Sequence, residues 1–180
     1  MLFGLLKIFG PEDTAAKALY PLIVEKARNP VFYRDLGVPD TVTGRFDMIV
    51  LHTILLVNRL AGEGRQGAKL SQALFDHLFL DMDYSLREQG VGDLSVPRHI
   101  KRMMQGFHGR RQVYEQALAA QDDSVLAEAL RRNLYATVEN PDSNMVNHVV
   151  KYMETCRNGL KRHNLKDFMS GRLAFAEVKI

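Results

Sequence analysis

The segment Thr43–Ala61 constrains the fold more than any other part of the sequence. On a helical wheel, its apolar residues cover two opposite sides, one with Phe46, Ile49, Val50, Thr53, Leu56, Val57 and Leu60, the other with Met48, Leu51 and Leu55. A helix that is apolar nearly all round is usually buried, because a solvent-facing side would carry polar residues. Elsewhere the apolar residues also recur mostly with helical spacing. The sequence therefore predicts an all-α fold with this segment at its centre.

Amphipathic segments bounded by capping and turn residues predict the remaining helices. They are expected at about 13–27, 68–88, 95–120, 122–138, 140–158 and 165–169. We expect a kink or break at Pro21, a Ser95 cap followed by Pro97 in the first turn, and irregular chain over 29–40. Residues 173–180 fit either extended chain or helix. The prediction is one compact bundle of about six to seven helices over 13–180, preceded by an apolar segment 1–12.

Composition narrows the class of protein. The 180 residues carry a net charge of +3 and 46% hydrophobic residues, as expected of an ordinary globular domain. A single cysteine, Cys156, allows no internal disulfide and no multi-cysteine zinc site. The first residues are apolar, but they are too short to span a membrane and lack a basic signal-peptide region. We expect a cytoplasmic protein in which Met1–Phe9 could rest on a membrane or pack elsewhere.

Two charged residues lie where apolar ones are expected. Arg111 points with the apolar face of the predicted helix 95–120, and Asp81 lies at the edge of the apolar face of 68–88. Burying a charge is costly unless it is paired. We therefore predict a largely buried ion pair between Arg111 and Asp81, or Asp83. The alternative is that these charges line a groove between the two helices.

Such a groove would suit a partner helix. Met103, Met104 and Phe107 lie on the same face as Arg111, and methionine side chains adapt to varied apolar shapes. The candidate binding residues are Asp81, Asp83, Met103, Met104, Phe107 and Arg111. The alternative is that the methionines belong to an ordinary core.

The opposite face of the same predicted helix is basic. Arg98, Lys101 and Arg102 point away from the apolar face, and no acidic residue occurs over 94–114. This face is a candidate for contact with anionic lipid headgroups or ribosomal RNA, against the alternative of a solvated surface. No DNA-binding motif is present.

The sequence offers no pattern typical of catalysis or cofactor binding. Its six histidines are scattered, no phosphate-binding glycine loop or nucleophile motif occurs, and His77 and Asp81 are only a helical pair. We predict a protein that is not an enzyme and has no metal or other cofactor. The alternative is a helical enzyme, or a haem- or lipid-handling protein that uses an interhelical groove.

Several short motifs appear in one order over roughly residues 31–130. They are Val31-Phe32-Tyr33, Gly37-Val38-Pro39-Asp40, Thr43-Gly44-Arg45-Phe46-Asp47, Leu74-Phe75-Asp76, Asp81-Met82-Asp83, Leu86-Arg87-Glu88, Gly90-Val91-Gly92-Asp93, Val96-Pro97 and Gly109-Arg110 to Tyr114. In this order and spacing the chain resembles the ubiquinol–cytochrome c chaperone family, the assembly factors of respiratory complex III.

The resemblance implies an all-helical, non-enzymatic chaperone that binds newly made cytochrome b and supports assembly of the cytochrome bc complex. Mitochondrial members of that family work with a small partner protein and near the ribosome. The lack of a recognisable transit peptide or anchor is similar to a bacterial member, so the implied location is the inner face of the cytoplasmic membrane, with peripheral contact. The family supplies no catalytic residues.

Overall fold

A computed structural model describes residues 10–180 of the chain. The proposed membrane contact by Met1–Phe9 lies outside the described residues, as does most of the predicted segment 1–12. The helices are α1 (Pro11–Ala27), α2 (Pro30–Arg34), α3 (Val42–Leu60), α4 (Gly64–Glu88), α5 (Val96–Ala120), α6 (Asp123–Asn133), α7 (Ser143–Leu160) and α8 (Leu165–Met169).

The predicted all-α fold is confirmed, with several corrections at helix ends. The segment 29–40, predicted to be irregular, contains the short helix α2. Helix α1 runs through Pro21 without a break, and α4 begins at Gly64 rather than near Ala68. Helix α6 ends at Asn133, earlier than predicted, and residues 172–180 form neither helix nor strand.

Side-chain caps explain several of the observed helix starts. Thr41, Asp122, Asp142 and Asn164 each accept a hydrogen bond from a backbone N–H in the first turn of the helix that follows. Such a cap satisfies a donor that has no partner within the helix. Ser95 was predicted to cap α5 but makes no such bond, although Pro97 does lie in the first turn.

Helix α3 lies at the centre of the molecule, as its sequence predicts. It contacts α1, α4, α5 and α7, and every residue from Phe46 to Val57 is buried. The neighbouring helices turn one apolar stripe each towards it and leave their polar faces in solvent. This arrangement follows from the pattern, because only a helix apolar on both sides can be covered on both sides.

Two uncharged polar side chains of α3, His52 and Thr53, are buried in this core, and both have hydrogen-bond partners. His52 Nδ1 lies 2.8 Å from the Met48 carbonyl, which can only accept, so His52 donates there. The Tyr152 hydroxyl of α7 therefore donates to His52 Nε2 at 2.6 Å. Burial lowers the pKa of His52 to about 4, which keeps it neutral at physiological pH. Thr53 donates to the Ile49 carbonyl. These bonds offset the cost of burying polar groups.

Candidate functional site

Helices α4 and α5 pack through aromatic side chains at the place where a groove was predicted. Phe75 and Phe79 of α4 contact the Phe107 ring at centroid distances of 5.2 and 6.2 Å, and His108 stacks on Phe75 at 5.3 Å. Phe107 is only 1% exposed. In this structure Phe107 therefore belongs to the contact between the helices and supports the surface from beneath.

The two methionines lie further out on α5. Met103 and Met104 are half-buried, as is Ile100 one turn earlier, and all three pack against the edge of the core. We call Ile100, Met103 and Met104 the methionine ridge. Their spacing of three and four residues places them along one side of the helix, where part of each side chain reaches solvent. The ridge is the part of the predicted binding face that a partner could contact directly.

The predicted ion pair between Arg111 and Asp81 or Asp83 is wrong. Arg111 donates from Nε to Asn58 Oδ1 of α3 at 2.9 Å, and its closest carboxylate is Glu115 at 3.9 Å. Asp81 instead accepts a 2.7 Å hydrogen bond from the Tyr20 hydroxyl of α1, and Asp83 pairs with Arg87 within α4. The edge of α4 that carries Asp81 faces α1 rather than α5, which a helical wheel alone does not reveal.

The buried ion pair of this region involves the preceding arginine. Arg110 Nη2 lies 2.9 Å from Asp47 Oδ1 of α3, and the two side chains are 19% and 7% exposed. Arg110 and Arg111 thus both reach α3, at positions on either side of its middle. Arg110 is the more enclosed of the two, since the Arg111 side chain is 33% exposed. This salt bridge links α5 to the central helix α3.

Some polar atoms of the Asp47–Arg110 pair lack hydrogen-bond partners in the described structure. Among the described residues Arg110 Nε has no hydrogen-bond partner, and Asp47 Oδ1 lies near Arg110 without good hydrogen-bond geometry. Burial raises the pKa of Asp47 to about 6, although the positive charge of Arg110 opposes that shift. A carboxyl that stays ionised at neutral pH under these conditions depends strongly on its single cation.

Sequence reasoning missed Asp47 and Arg110 as a pair, although one signal was present. Asp47 is an acidic residue within a helix that is otherwise apolar on nearly every side. A buried acid requires a cation, but of the neighbouring Arg110 and Arg111 only Arg111 was predicted to face inwards. The choice between these neighbours depends on how α5 crosses α3, which periodicity does not determine.

A cavity of about 360 Å³ lies beside Arg111, where α3, α5 and α7 meet, and Asn58, Arg59, Glu115 and Arg157 contribute to its wall. Its arginines are largely engaged with helix ends. Arg59 donates to the carbonyls of Leu160 and His163, and Arg157 donates to that of Leu118. Cations that satisfy the free carbonyls at helix C-termini have a structural role. The arginines of this cavity wall are therefore engaged in stabilising helix ends rather than placed for acid–base chemistry.

The predicted basic face of α5 is on the surface. Arg98, Lys101 and Arg102 are all exposed, and none of them pairs with a carboxylate among residues 10–180. The described part of the chain contains no group of three histidine, cysteine or acidic residues placed to hold a metal ion. None of its helices combines the length and apolarity that crossing a membrane requires.

Comparison with known proteins places these features in a family context. The family profile described as ubiquinol-cytochrome C chaperone matches residues 34–175. The mitochondrial protein CBP3 of Saccharomyces cerevisiae is 30% identical over 148 residues, covering 80% of this chain and 44% of that protein. Ubiquinol-cytochrome-c reductase complex assembly factor 1 of Xenopus laevis is 26% identical over 120 residues, covering 67% of this chain and 60% of that one. The chain thus spans about half the length of these relatives.

A solved structure is also similar. The crystal structure of the Cbp3 homolog from Brucella abortus superposes with a TM-score of 0.84 and 34% sequence identity. The match covers 93% of this chain and 92% of that one. The similarity therefore extends over nearly the whole of both folds.

Proposed function

Because this chain belongs to the ubiquinol–cytochrome c chaperone family, we propose that it is a non-enzymatic assembly chaperone for ubiquinol–cytochrome c reductase. The match to the family profile over residues 34–175 is the observation that carries the proposal. The names of the yeast and frog relatives support the same process. A protein with this role requires a surface for its client and a means of staying where the client is made.

We further propose that the client is newly made cytochrome b and that the methionine ridge receives one of its apolar segments. Thioether side chains adjust to different apolar shapes, which suits a client that is not yet folded. Arg111 borders this face and could donate to carbonyls left free at the end of a client helix. Phe107 would hold the ridge in place from the core side. Asp81 and Asp83 do not belong to this proposed surface, because Asp81 bonds to Tyr20 of α1 and Asp83 pairs with Arg87 within α4.

Site-specific crosslinking during synthesis tests this proposal. A photoreactive residue at position 104 should form a covalent product with cytochrome b while it is being translated in the presence of membranes. The same residue at position 125, an exposed apolar site on α6, serves as the matched control. Equal capture at both positions, or capture at neither, would contradict a client surface on α5.

Met104→Asp is expected to reduce capture of cytochrome b at least about tenfold, because the ridge would then carry an unpaired charge that a client must desolvate. Since Met104 is half-buried rather than fully enclosed, we expect the variant to remain folded. Capture is measured by crosslinking, and folding by thermal denaturation of the same preparation.

Val125→Asp places the same charge on another exposed apolar position and should leave capture unchanged. If Met104→Asp unfolds the chain, or if the folded variant captures cytochrome b normally, the client does not bind at the ridge.

We propose that the basic face of α5 keeps the chaperone at an anionic surface, at the inner face of the cytoplasmic membrane. Replacing Arg98, Lys101 and Arg102 together by glutamine should leave the fold intact, since all three are exposed. It should weaken cosedimentation with anionic vesicles, where each basic residue contributes about 1 kcal/mol. Raised salt should have the same effect on the unmodified chain, because exposed charges are screened.

The matched control replaces Arg132, Lys151 and Arg162, which are also exposed but belong to other parts of the surface. It changes the net charge equally and should weaken binding much less. Vesicle binding that both triple variants lose equally would indicate a net-charge effect. If the triple variant loses binding to ribosomes but not to vesicles, the basic face contacts the ribosome; cosedimentation with ribosomes in place of vesicles measures this.

Association with a small partner protein, as in mitochondrial members of the family, remains part of this proposal.

A further inference from the structure

Residues 171–180 cross the surface as extended chain, and we call them the strap. The backbone turns at Gly171, where φ is +71°, a conformation that side chains disfavour. A Cβ atom added there would also lie 2.8 Å from the Ala18 Cβ of α1. The strap therefore starts from a turn pressed closely against α1, which directs the following residues along the surface.

The strap is held by its side chains. Leu173, Phe175, Ala176 and Val178 are half-buried against the core, whereas Ala174 and Glu177 are exposed. Within the described chain, no backbone-to-backbone hydrogen bond joins residues 173–180 to another element. A segment that rests on apolar side chains, without a hydrogen-bonded ladder, can be exchanged for another segment of similar pattern.

The strap covers the polar cluster of the core. The Phe175 ring packs edge-on against the His52 ring at a centroid distance of 4.9 Å, and the Ala176 backbone lies beside the Cys156 thiol. At the outer side, Glu177 pairs with Lys26 of α1 at 3.1 Å. Phe175 thus provides an apolar anchor, and Glu177 provides a charged one.

An open cavity lies beside the strap. This cavity, of about 500 Å³, lies between the strap and the end of α1, and Leu22, Lys26, Asn29 and Pro30 form its far wall. We call the surface formed by this wall, His52, Tyr152 and Cys156 the strap groove. Its size and mixed lining are within the range of known binding sites.

We propose that the strap groove is a docking site for an extended partner segment, and that the strap is its displaceable occupant within the chain. The partner segment would carry large apolar side chains at alternate positions and an acidic residue two positions after the one that replaces Phe175. The first would fill the place of Phe175 against His52, and the acid would take the place of Glu177 at Lys26. The strap groove is built from α1, α3 and α7 and is separate from the methionine ridge of α5.

The natural thiol under the strap reports its opening. Cys156 is the only cysteine of the chain and is fully buried, so a thiol reagent reacts only when the structure opens. Labelling of the intact protein should occur through local opening, with a weaker dependence on denaturant than global unfolding shows. Phe175→Ala should accelerate labelling at least about tenfold while retaining that weak dependence.

Phe107→Ala makes the same chemical change in the α4–α5 contact, where the buried ring packs on Phe75 and Phe79, and provides the matched control. It should accelerate labelling only through global unfolding, with the full dependence on denaturant. If the intact chain and Phe175→Ala also label only through global unfolding, the strap is a fixed part of the fold and the proposal is wrong.

A synthetic peptide of residues 171–180 then tests the groove as a binding site. Added to the full-length Phe175→Ala protein, it should occupy the vacated groove and slow labelling of Cys156 in a saturable way. Peptides with alanine at position 175, or lysine at position 177, should protect at least about tenfold less, because each loses one anchor. Absence of protection by the native peptide, or equal protection by all three peptides, would overturn the docking proposal. None of these outcomes depends on cytochrome b.

Discussion

Replacing Arg110 by alanine is expected to lower the free energy of unfolding by about 3–5 kcal/mol at neutral pH. Asp47, its partner on α3, is 7% exposed, and within residues 10–180 Arg110 is its only ion-pair partner. Without that cation, the folded state must either keep Asp47 as a buried, unpaired carboxylate or protonate it, and both cost free energy at neutral pH. Chemical denaturation monitored by circular dichroism measures the change.

The expected loss depends on pH. Burial raises the pKa of Asp47 to about 6 in the folded chain, above its ordinary value of 3.8. The folded state therefore binds this proton more tightly than the unfolded chain, so the group favours folding at low pH and loses this contribution as the pH rises through about 6. Removing Arg110 raises the folded pKa further. The loss of stability should thus be smaller near pH 5 than near pH 7.5.

The neighbouring arginine is the matched control for this prediction. Arg111→Ala removes the same charge from the same helix, but Arg111 is 33% exposed and its closest carboxylate, Glu115, is half-exposed. Its loss should cost about 1 kcal/mol, the value of one hydrogen bond to Asn58. Equal losses for the two arginines, or an Arg110→Ala effect that does not change with pH, would contradict a buried Asp47–Arg110 pair.

Leu56→Ala is expected to destabilise the protein by about 2–5 kcal/mol, through lost burial and the cavity left behind. Leu56 lies in the C-terminal half of α3 and has no exposed surface. Because α3 touches four other helices, the neighbours cannot all move inwards to fill the space. The free energy of unfolding from denaturant titration measures this effect.

Leu80→Ala makes the same chemical change on α4, where the side chain is 52% exposed, and should cost less than about 1 kcal/mol. A loss below about 1 kcal/mol for Leu56→Ala would contradict the central position of α3 and indicate an exposed binding element instead.

Helical periodicity predicted most of the fold because each helix carries its apolar stripe in its own sequence. Segments 43–61 and 95–120 were predicted within two residues of α3 and α5. The errors occur where the local preference of one residue was overridden by its surroundings. Pro21 was tolerated within α1, and Ser95 leaves the start of α5 without a side-chain cap. Such outcomes depend on neighbouring packing, which can override the local preference of a single residue.

The candidate site was predicted less completely, for a related reason. The exposed Arg98, Lys101 and Arg102 and the half-buried Met103 and Met104 follow from the faces of one helix. Which acid meets which arginine does not, because it depends on two helices at once. A wheel orients Asp81 and Arg111 within their own helices but says nothing of the neighbour that each of them faces.

The sequence alone determined the fold class, the central helix and the apolar or polar face of most helical side chains, because these depend on the spacing of apolar residues within a segment. Only the tertiary structure decided that Arg110 rather than Arg111 meets Asp47, that Asp81 meets Tyr20, and that residues 171–180 cover the His52 cluster. These contacts join residues far apart in the chain, and small rotations of one helix against another choose between neighbouring side chains. Their partners are therefore set by how the helices cross, which no local pattern contains.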